Sequence, residues 1–392
     1  MVKRIALILL VGCLVAFAGC SDITDDLGSE SAELETTPQD TPLVDSTTDT
    51  SEPAESSAAI SETATAGDTT ANEGDSSDTP RTDGTLEIHH IDVGQADSTL
   101  IVTPDGETIL IDTGGWRDDG ETVLQYLDSQ GVDRIDHLVE THPHADHIGG
   151  HEAVINHFET EGEGIGAAYG SGVTSTSNTY EEYIDAVENH GVDLYRVESG
   201  DSLSLEGESV SATVLNPTPE AGDGIHENSV SLLVEYGETS YVTTGDAESD
   251  SEQRMVQAFP EKLDSEVYQA GHAGSSTSSS SQFMNVVDPE IAVISSAYDS
   301  QYGHPHSETL ERFAEMDIET YWTGVHGNVV LESDGSSFTV TTEEEFSTDP
   351  MDILDEKPTD GSGSNSLDPT VGIDPGPSLG PASSPAAAVA PA

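Results

Sequence analysis

Thr141-His142-Pro143-His144-Ala145-Asp146-His147-Ile148-Gly149-Gly150 follows directly on an apolar strand-like segment that ends at Glu140. Three imidazoles and a carboxylate fall within six residues, on a turn leaving a strand. A His-x-His-x-Asp-His string placed there can aim two imidazoles at one metal ion. Its Asp and third imidazole then face a neighbouring ion, as a two-metal hydrolytic site requires. The plain alternative is a solvated histidine-rich loop. Chance alone gives this four-residue pattern on the order of one time in a thousand.

Working outward, eleven segments between Leu86 and Leu331 alternate or are rich in β-branched residues, and five between Gly120 and Met316 carry helical periodicity. Hairpin-like strand pairs open and close the series, with helices interleaved. This predicts an α/β fold of layered sheets and helices rather than an all-β one.

Composition sets the limits of the domain. The 392 residues carry 76 Asp+Glu against 10 Lys+Arg, a formal charge of −66. No Lys/Arg cluster occurs beyond Lys3-Arg4, so the phosphate-neutralising stripe of a basic nucleic-acid module is absent. Residues 21–84 hold 17 acids, 23 Ser+Thr and no aromatic, and residues 347–392 hold 8 Pro and no aromatic. Neither stretch can bury enough apolar surface to offset chain entropy, so both read as disordered. One folded domain is expected at 85–346, with 52 acids against 6 basic residues. Such a surface repels itself at ordinary salt and is tolerated at molar salt, where the Debye length is about 3 Å. A halophilic source is therefore expected. An acidic calcium-binding protein would show Asp-x-Asp-x-Asp loops, and the sequence has none.

The N-terminus predicts an address. Lys3-Arg4 precede an uncharged run, Ile5 to Cys20, too short for a span of about 20 residues. Phe17-Ala18-Gly19-Cys20 resembles a lipobox, so residues 1–20 read as a lipoprotein signal peptide. A lipidated Cys20 would then hold the chain on the extracellular face of the membrane. Cutting at Cys13 instead would leave an apolar core of only eight residues. Both cysteines lie in the leader, which excludes a disulfide framework and leaves metal binding to His and carboxylates.

With Ile111-Asp112-Thr113-Gly114 and Thr244-Gly245-Asp246-Ala247, the histidine string resembles the metallo-β-lactamase superfamily. Ile91-Asp92-Val93-Gly94-Gln95-Ala96-Asp97, Tyr268-Gln269-Ala270-Gly271-His272-Ala273-Gly274-Ser275 and Tyr302-Gly303-His304-Pro305-His306 resemble, more narrowly, the soluble hydrolase domain of ComEC competence proteins. The resemblance runs from about 86 to 335 and leaves out any channel.

It implies an αβ/βα four-layer sandwich with a metal site at one edge between the sheets. It implies His142 and His144 on one metal, Asp146 and His147 on the other, Asp246 bridging, and Asp146 as the catalytic group. His272 is expected as a further ligand with His304 as its competitor. His226 stands as a third histidine for the first metal or as a surface-loop residue. Asp92, Asp97, Asp112 and Asn228 are expected to shape the cleft, and His306 and His151 to be exposed or peripheral. ComEC relatives carry a second histidine where this chain has Ala273.

Two divalent ions are implied, Zn²⁺ by default, with Mn²⁺ and Fe²⁺ also compatible with imidazole and carboxylate donors. The leading expectation is a cell-surface phosphodiesterase acting on a small molecule or a phosphodiester. DNA is included as a substrate although no basic surface serves it. A carbonyl hydrolase (lactone, thioester or β-lactam) and a non-catalytic metal-binding module are the alternatives.

Overall fold

Alternate residues of the central strands enter different apolar clusters, which is what fixes the layers. Ile109 and Ile111 face one way and Leu110 the other, as do Leu232 and Val234 against Leu233, and Val293 against Ala292 and Ile294. A strand apolar on both faces must be covered on both. The computed structural model describes Lys3–Arg4 and residues 84–358. The rest of the leader, Cys20, the acidic linker and the chain after 358 lie outside the described residues.

The first half runs β1 (Lys3–Arg4), β2 (Leu86–His90), β3 (Thr99–Val102), β4 (Thr108–Ile111), α1 (Glu121–Gln130), β5 (Ile135–Val139), α2 (His151–Thr160), β6 (Ile165–Gly170), α3 (Asn178–His190) and β7 (Leu194–Arg196). The second runs β8 (Val210–Asn216), β9 (Ser231–Tyr236), β10 (Thr239–Thr243), α4 (Ser249–Ala258), β11 (Val267–Gln269), α5 (Ser281–Val287), β12 (Ile291–Ile294), α6 (Ser307–Glu315) and β13 (Glu319–Trp322). It closes with α7 (Thr323–His326), β14 (Val329–Ser333), β15 (Phe338–Thr342) and α8 (Pro350–Glu356).

One sheet has the order β1-β7-β6-β5-β4-β3-β2-β14-β15 and the other β13-β12-β11-β10-β9-β8. Their inner faces share a core that includes Ile88, Ile101, Val139, Val214, Tyr241 and Val267. Helices α1, α2 and α3 cover the outer face of the first sheet through Val123, Leu127, Ile155, Phe158 and Tyr183. Helices α4, α5, α6 and α8 cover the second through Met255, Phe283, Phe313 and Ile353. The result is the expected αβ/βα four-layer sandwich. Among the described residues, no helix is long and apolar enough to cross a membrane.

Strands β4 to β7 are mutually parallel, as are β10 to β13. In parallel sheets the loops leaving the carboxyl ends collect along one edge, where ligands bind. Those loops carry Asp112, the 141–150 string, Asp246, His272 and His304.

The packed chain continues past residue 346, which corrects the expected tail boundary. Asp349 caps α8 by accepting from Met351 N, Pro350 opens it, and Ile353 is fully buried against the second sheet's helical layer. Seven residues with one apolar anchor are too few to stand out from proline-rich composition.

Candidate metal centre

Asp246 is held in place by its glycine. Gly245 has φ +50°, and a Cβ there would sit 2.5 Å from Ser229 Oγ, the atom that accepts from Asp246 N at 3.0 Å. The turn therefore presents a short carboxylate at the end of β10, in a cleft of about 300 Å³ lined also by Asp97, His144, Asp146, His147, His226, His272 and His304.

Four donors converge on one side of it: His142 Nε2, His144 Nδ1, His226 Nε2 and Asp246 Oδ2, all within 4.8 Å of one another. His144 Nδ1 lies 3.0 Å from His142 Nε2 and 3.3 Å from His226 Nε2. Asp246 Oδ2 lies 3.5 Å from His142 Nε2 and 3.7 Å from His226 Nε2. Bonds of about 2.0–2.1 Å in a tetrahedron place donors roughly 3.4 Å apart. The spacing thus fits a small divalent cation. Burial drives the pKa of His142 well below, and that of His144 below, its ordinary value, which keeps these imidazoles neutral as ligands must be. His226, one of two readings in the sequence, joins this group.

On the other side, His147 Nε2 is 3.3 Å from Asp246 Oδ1, while His272 Nε2 is 3.5 Å from Asp246 Oδ2, the oxygen that His142 and His226 also approach. Asp146 lines the same cleft, half-buried. Burial opposes protonation of His147, yet Asp246 and Asp112 hold its pKa well above the usual value. Burial likewise opposes ionisation of Asp246, and His147 and His142 outweigh it, holding that carboxyl well below the usual range. The two-sided donor set fits the pair of divalent ions that the fold implies.

A second tier of acids fixes which nitrogen faces inward. Asp112 is fully buried and accepts from Thr141 N at 2.9 Å, Thr141 Oγ1 at 2.6 Å and His147 Nδ1 at 2.6 Å, so His147 Nε2 is free towards Asp246. Glu248 sits behind two further rings, its Oε1 lying 3.4 Å from His226 Nδ1 and 3.6 Å from His272 Nδ1, and Thr277 Oγ1 lies 3.3 Å from His272 Nδ1. Sequence reading missed Glu248; its spacing two residues after Asp246 was the available signal. Gln269 was also missed. Its Nε2 donates to both oxygens of Asp97, at 2.8 and 2.7 Å, and burial pushes that carboxyl up to about 7.

Other expectations are placed differently. Asp92 does not line the cleft; its Oδ1 accepts from Gly94 N at 3.1 Å and closes the turn after β2. Asn228 lines a neighbouring groove and ties the His226 loop down, donating to Gly222 O at 2.7 Å and Gly224 O at 2.8 Å. His304 does line the cleft, its ring 5.7 Å from that of His272 and its buried Nδ1 without a hydrogen-bond partner. His151 is fully buried rather than exposed, paired at 2.7 Å with Thr113 Oγ1. His306 is tied to the backbone, accepting from Ser276 N at 2.9 Å. Ala273 faces the cleft, on a turn where His272 and Ala273 both have positive φ, 53° and 54°.

The sequence profile described as the Metallo-beta-lactamase superfamily matches residues 91–297. ComE operon protein 3 of Bacillus subtilis (strain 168) is 31% identical over 261 residues, covering 62% of this chain and 32% of its own length. Recombination protein 2 of Haemophilus influenzae is 28% identical over 249 residues, covering 62% of this chain and 28% of its own. The chain thus spans about a third of the length of these curated relatives. Among solved structures, the metallo-beta-lactamase fold protein YhfI from Bacillus subtilis aligns with a TM-score of 0.42 at 12% identity, covering 63% of this chain and all of that one.

Proposed function

The chain belongs to the metallo-β-lactamase superfamily, a family of metal-dependent hydrolases, and is related to competence proteins; from that premise we propose that it is a two-metal phosphodiesterase held on the outer face of the cell membrane. The observation that carries this reading is the division of Asp246, with Oδ2 towards His142, His226 and His272 and Oδ1 towards His147. A carboxylate so divided suits an in-line displacement, in which attacking and leaving oxygens each need a counter-charge. When bound, the two ions, Zn²⁺ by default, supply Lewis acidity and an activated water.

The chain's own groups do the rest. His142, His144 and His226 would hold one ion with Asp246 Oδ2, which His272 also approaches, and His147 with Asp246 Oδ1 would hold the other. Asp112 holds the tautomer of His147, Glu248 places a negative charge behind His226 and His272, and Asp146 orients the attacking water and takes its proton. The acidic surface offers no long-range attraction to DNA, so a small phosphodiester is the favoured substrate. The metal-loaded protein should hydrolyse bis(4-nitrophenyl) phosphate at molar salt in preference to a lactone or a cephalosporin. A preference for either carbonyl substrate would replace the reading, and metal content without turnover on all three would make this a binding module. For the address, Cys20→Ser should release the protein from membranes while Cys13→Ser should not; the opposite pattern would move the cut.

A further inference from the structure

Among the described residues four large apolar side chains stand exposed, Trp116, Tyr298, Tyr302 and Met351; Tyr302 lines the metal cleft and Trp116 is joined to its edge through the backbone. Tyr302 is 58% exposed and lines the cleft directly, its ring 5.8 Å from that of His304. Trp116 is 55% exposed and is tied beside the histidine string, donating its backbone N–H to Ala145 O at 2.9 Å, between His144 and Asp146. Gly149 makes that contact feasible, since a Cβ on it would fall 2.1 Å from Trp116 N. The preceding Gly115 lies against Ala96, which itself lines the cleft. Tyr298, by contrast, is accounted for: it stacks on Trp322 and donates to Glu356 O.

Arg117 lies over the Trp116 ring, its guanidinium carbon 4.7 Å from the centroid. Among the described residues Arg117 makes no ion pair, although acids outnumber basic residues 52 to 6 over 85–346. Long-range charge on this surface repels an anion, so any anion that binds here must be held by groups in contact with it. A tryptophan with one face under a guanidinium and the ring half open offers such contacts to a flat ring and to the phosphate it carries.

The geometry points to a nucleotide subsite on the cleft rim: Trp116 stacks on the aromatic ring of the substrate, Arg117 meets a phosphate beside that ring, and Tyr302 lines the cleft. The subsite deepens the phosphodiesterase reading by naming the group its substrate carries, and it rests on that reading.

The test exploits the chain's two tryptophans, Trp116 exposed and Trp322 fully buried. Adenosine 5′-monophosphate carries ring and phosphate but no diester bond. Titrated into the full-length metal-loaded protein, it should quench tryptophan emission saturably. Trp116→Phe should abolish the quench, and Arg117→Gln should weaken the nucleotide about tenfold while leaving adenosine unchanged. Inorganic phosphate alone should leave emission unaltered. No quench in the wild type, equal quench in Trp116→Phe, or equal quench by inorganic phosphate would each overturn the subsite. Diester hydrolysis is measured separately, so turnover without quench sinks the subsite alone, and quench without turnover sinks the reaction alone.

Discussion

Replacing Asp112 by Asn tests whether the second tier of carboxylates sets the metal site. The amide keeps one acceptor oxygen for Thr141 N, now 2.9 Å from Asp112 Oδ1, but turns an NH₂ towards His147 Nδ1, now 2.6 Å from Oδ2. His147 Nδ1 must then accept, its proton moves to Nε2, and the lone pair that faces the cleft is lost. Outer partners of this kind are worth about 10–100-fold in metal affinity, roughly 1.4–2.7 kcal/mol. The upper end applies here, because the carboxylate is fully buried and no solvent can substitute. Removing a charge-assisted bond also costs about 1.5–3 kcal/mol of folding stability, less than a domain of this size holds. Glu248→Gln is the internal control: its partners are 3.4 and 3.6 Å away and its side chain is 42% exposed, so water compensates and the loss should be about fivefold at most. Competition against a chromogenic chelator measures the affinity of each metal equivalent, and thermal circular dichroism confirms folding. Wild-type affinity in Asp112→Asn, or a larger loss in Glu248→Gln, would refute the reasoning.

Three further outcomes are expected. Burial between the sheets, with His89 adding to it, depresses His90 to about 3 from 6.5, so the folded ring stays neutral between those values while the unfolded chain takes up a proton. Stability is therefore complete above pH 6.5 and falls as pH drops towards 3, by roughly 2–3 kcal/mol at pH 4.5; His90→Leu should flatten this limb in urea titrations, and superimposable limbs would show His90 is not its source. The 52 acids of residues 85–346 predict loss of compactness as KCl falls towards 0.1 M, where the Debye length widens to about 10 Å; a salt-independent circular dichroism signal would contradict it. Ala273→His adds an imidazole beside His272 and should raise phosphodiester hydrolysis about tenfold, whereas a fall there with unchanged metal affinity would mean the cleft is shaped for a different electrophile.

The central strands were legible because both of their faces are apolar and β-branched, and the long amphipathic helices because their period survives ten residues. What was missed had weaker patterns. Strand β6, Ile-Gly-Ala-Ala-Tyr-Gly, is built of small residues that leave no alternation, and Gly170 is kept small by the Glu140 carboxylate, 2.7 Å from where its Cβ would sit. Strands β7 and β15 have largely half-buried or exposed residues, and α5 has seven residues behind a serine run, capped by Ser280 accepting from Phe283 N. In the site, the histidine string was readable as a local pattern. Glu248 and Gln269 act on residues distant in sequence; nearness to Asp246 was the one local mark of Glu248, and nothing local marks Gln269 as the partner of Asp97.

The most direct measurement is metal content and bis(4-nitrophenyl) phosphate turnover on the same preparations of wild type and Asp246→Ala. If one carboxylate unites the two donor groups, the wild type should carry two equivalents of metal and turn over. The variant should then lose at least one equivalent and at least about 10³-fold in rate while its circular dichroism spectrum is unchanged. An Asp246→Ala protein that keeps both equivalents and the wild-type rate would contradict the account.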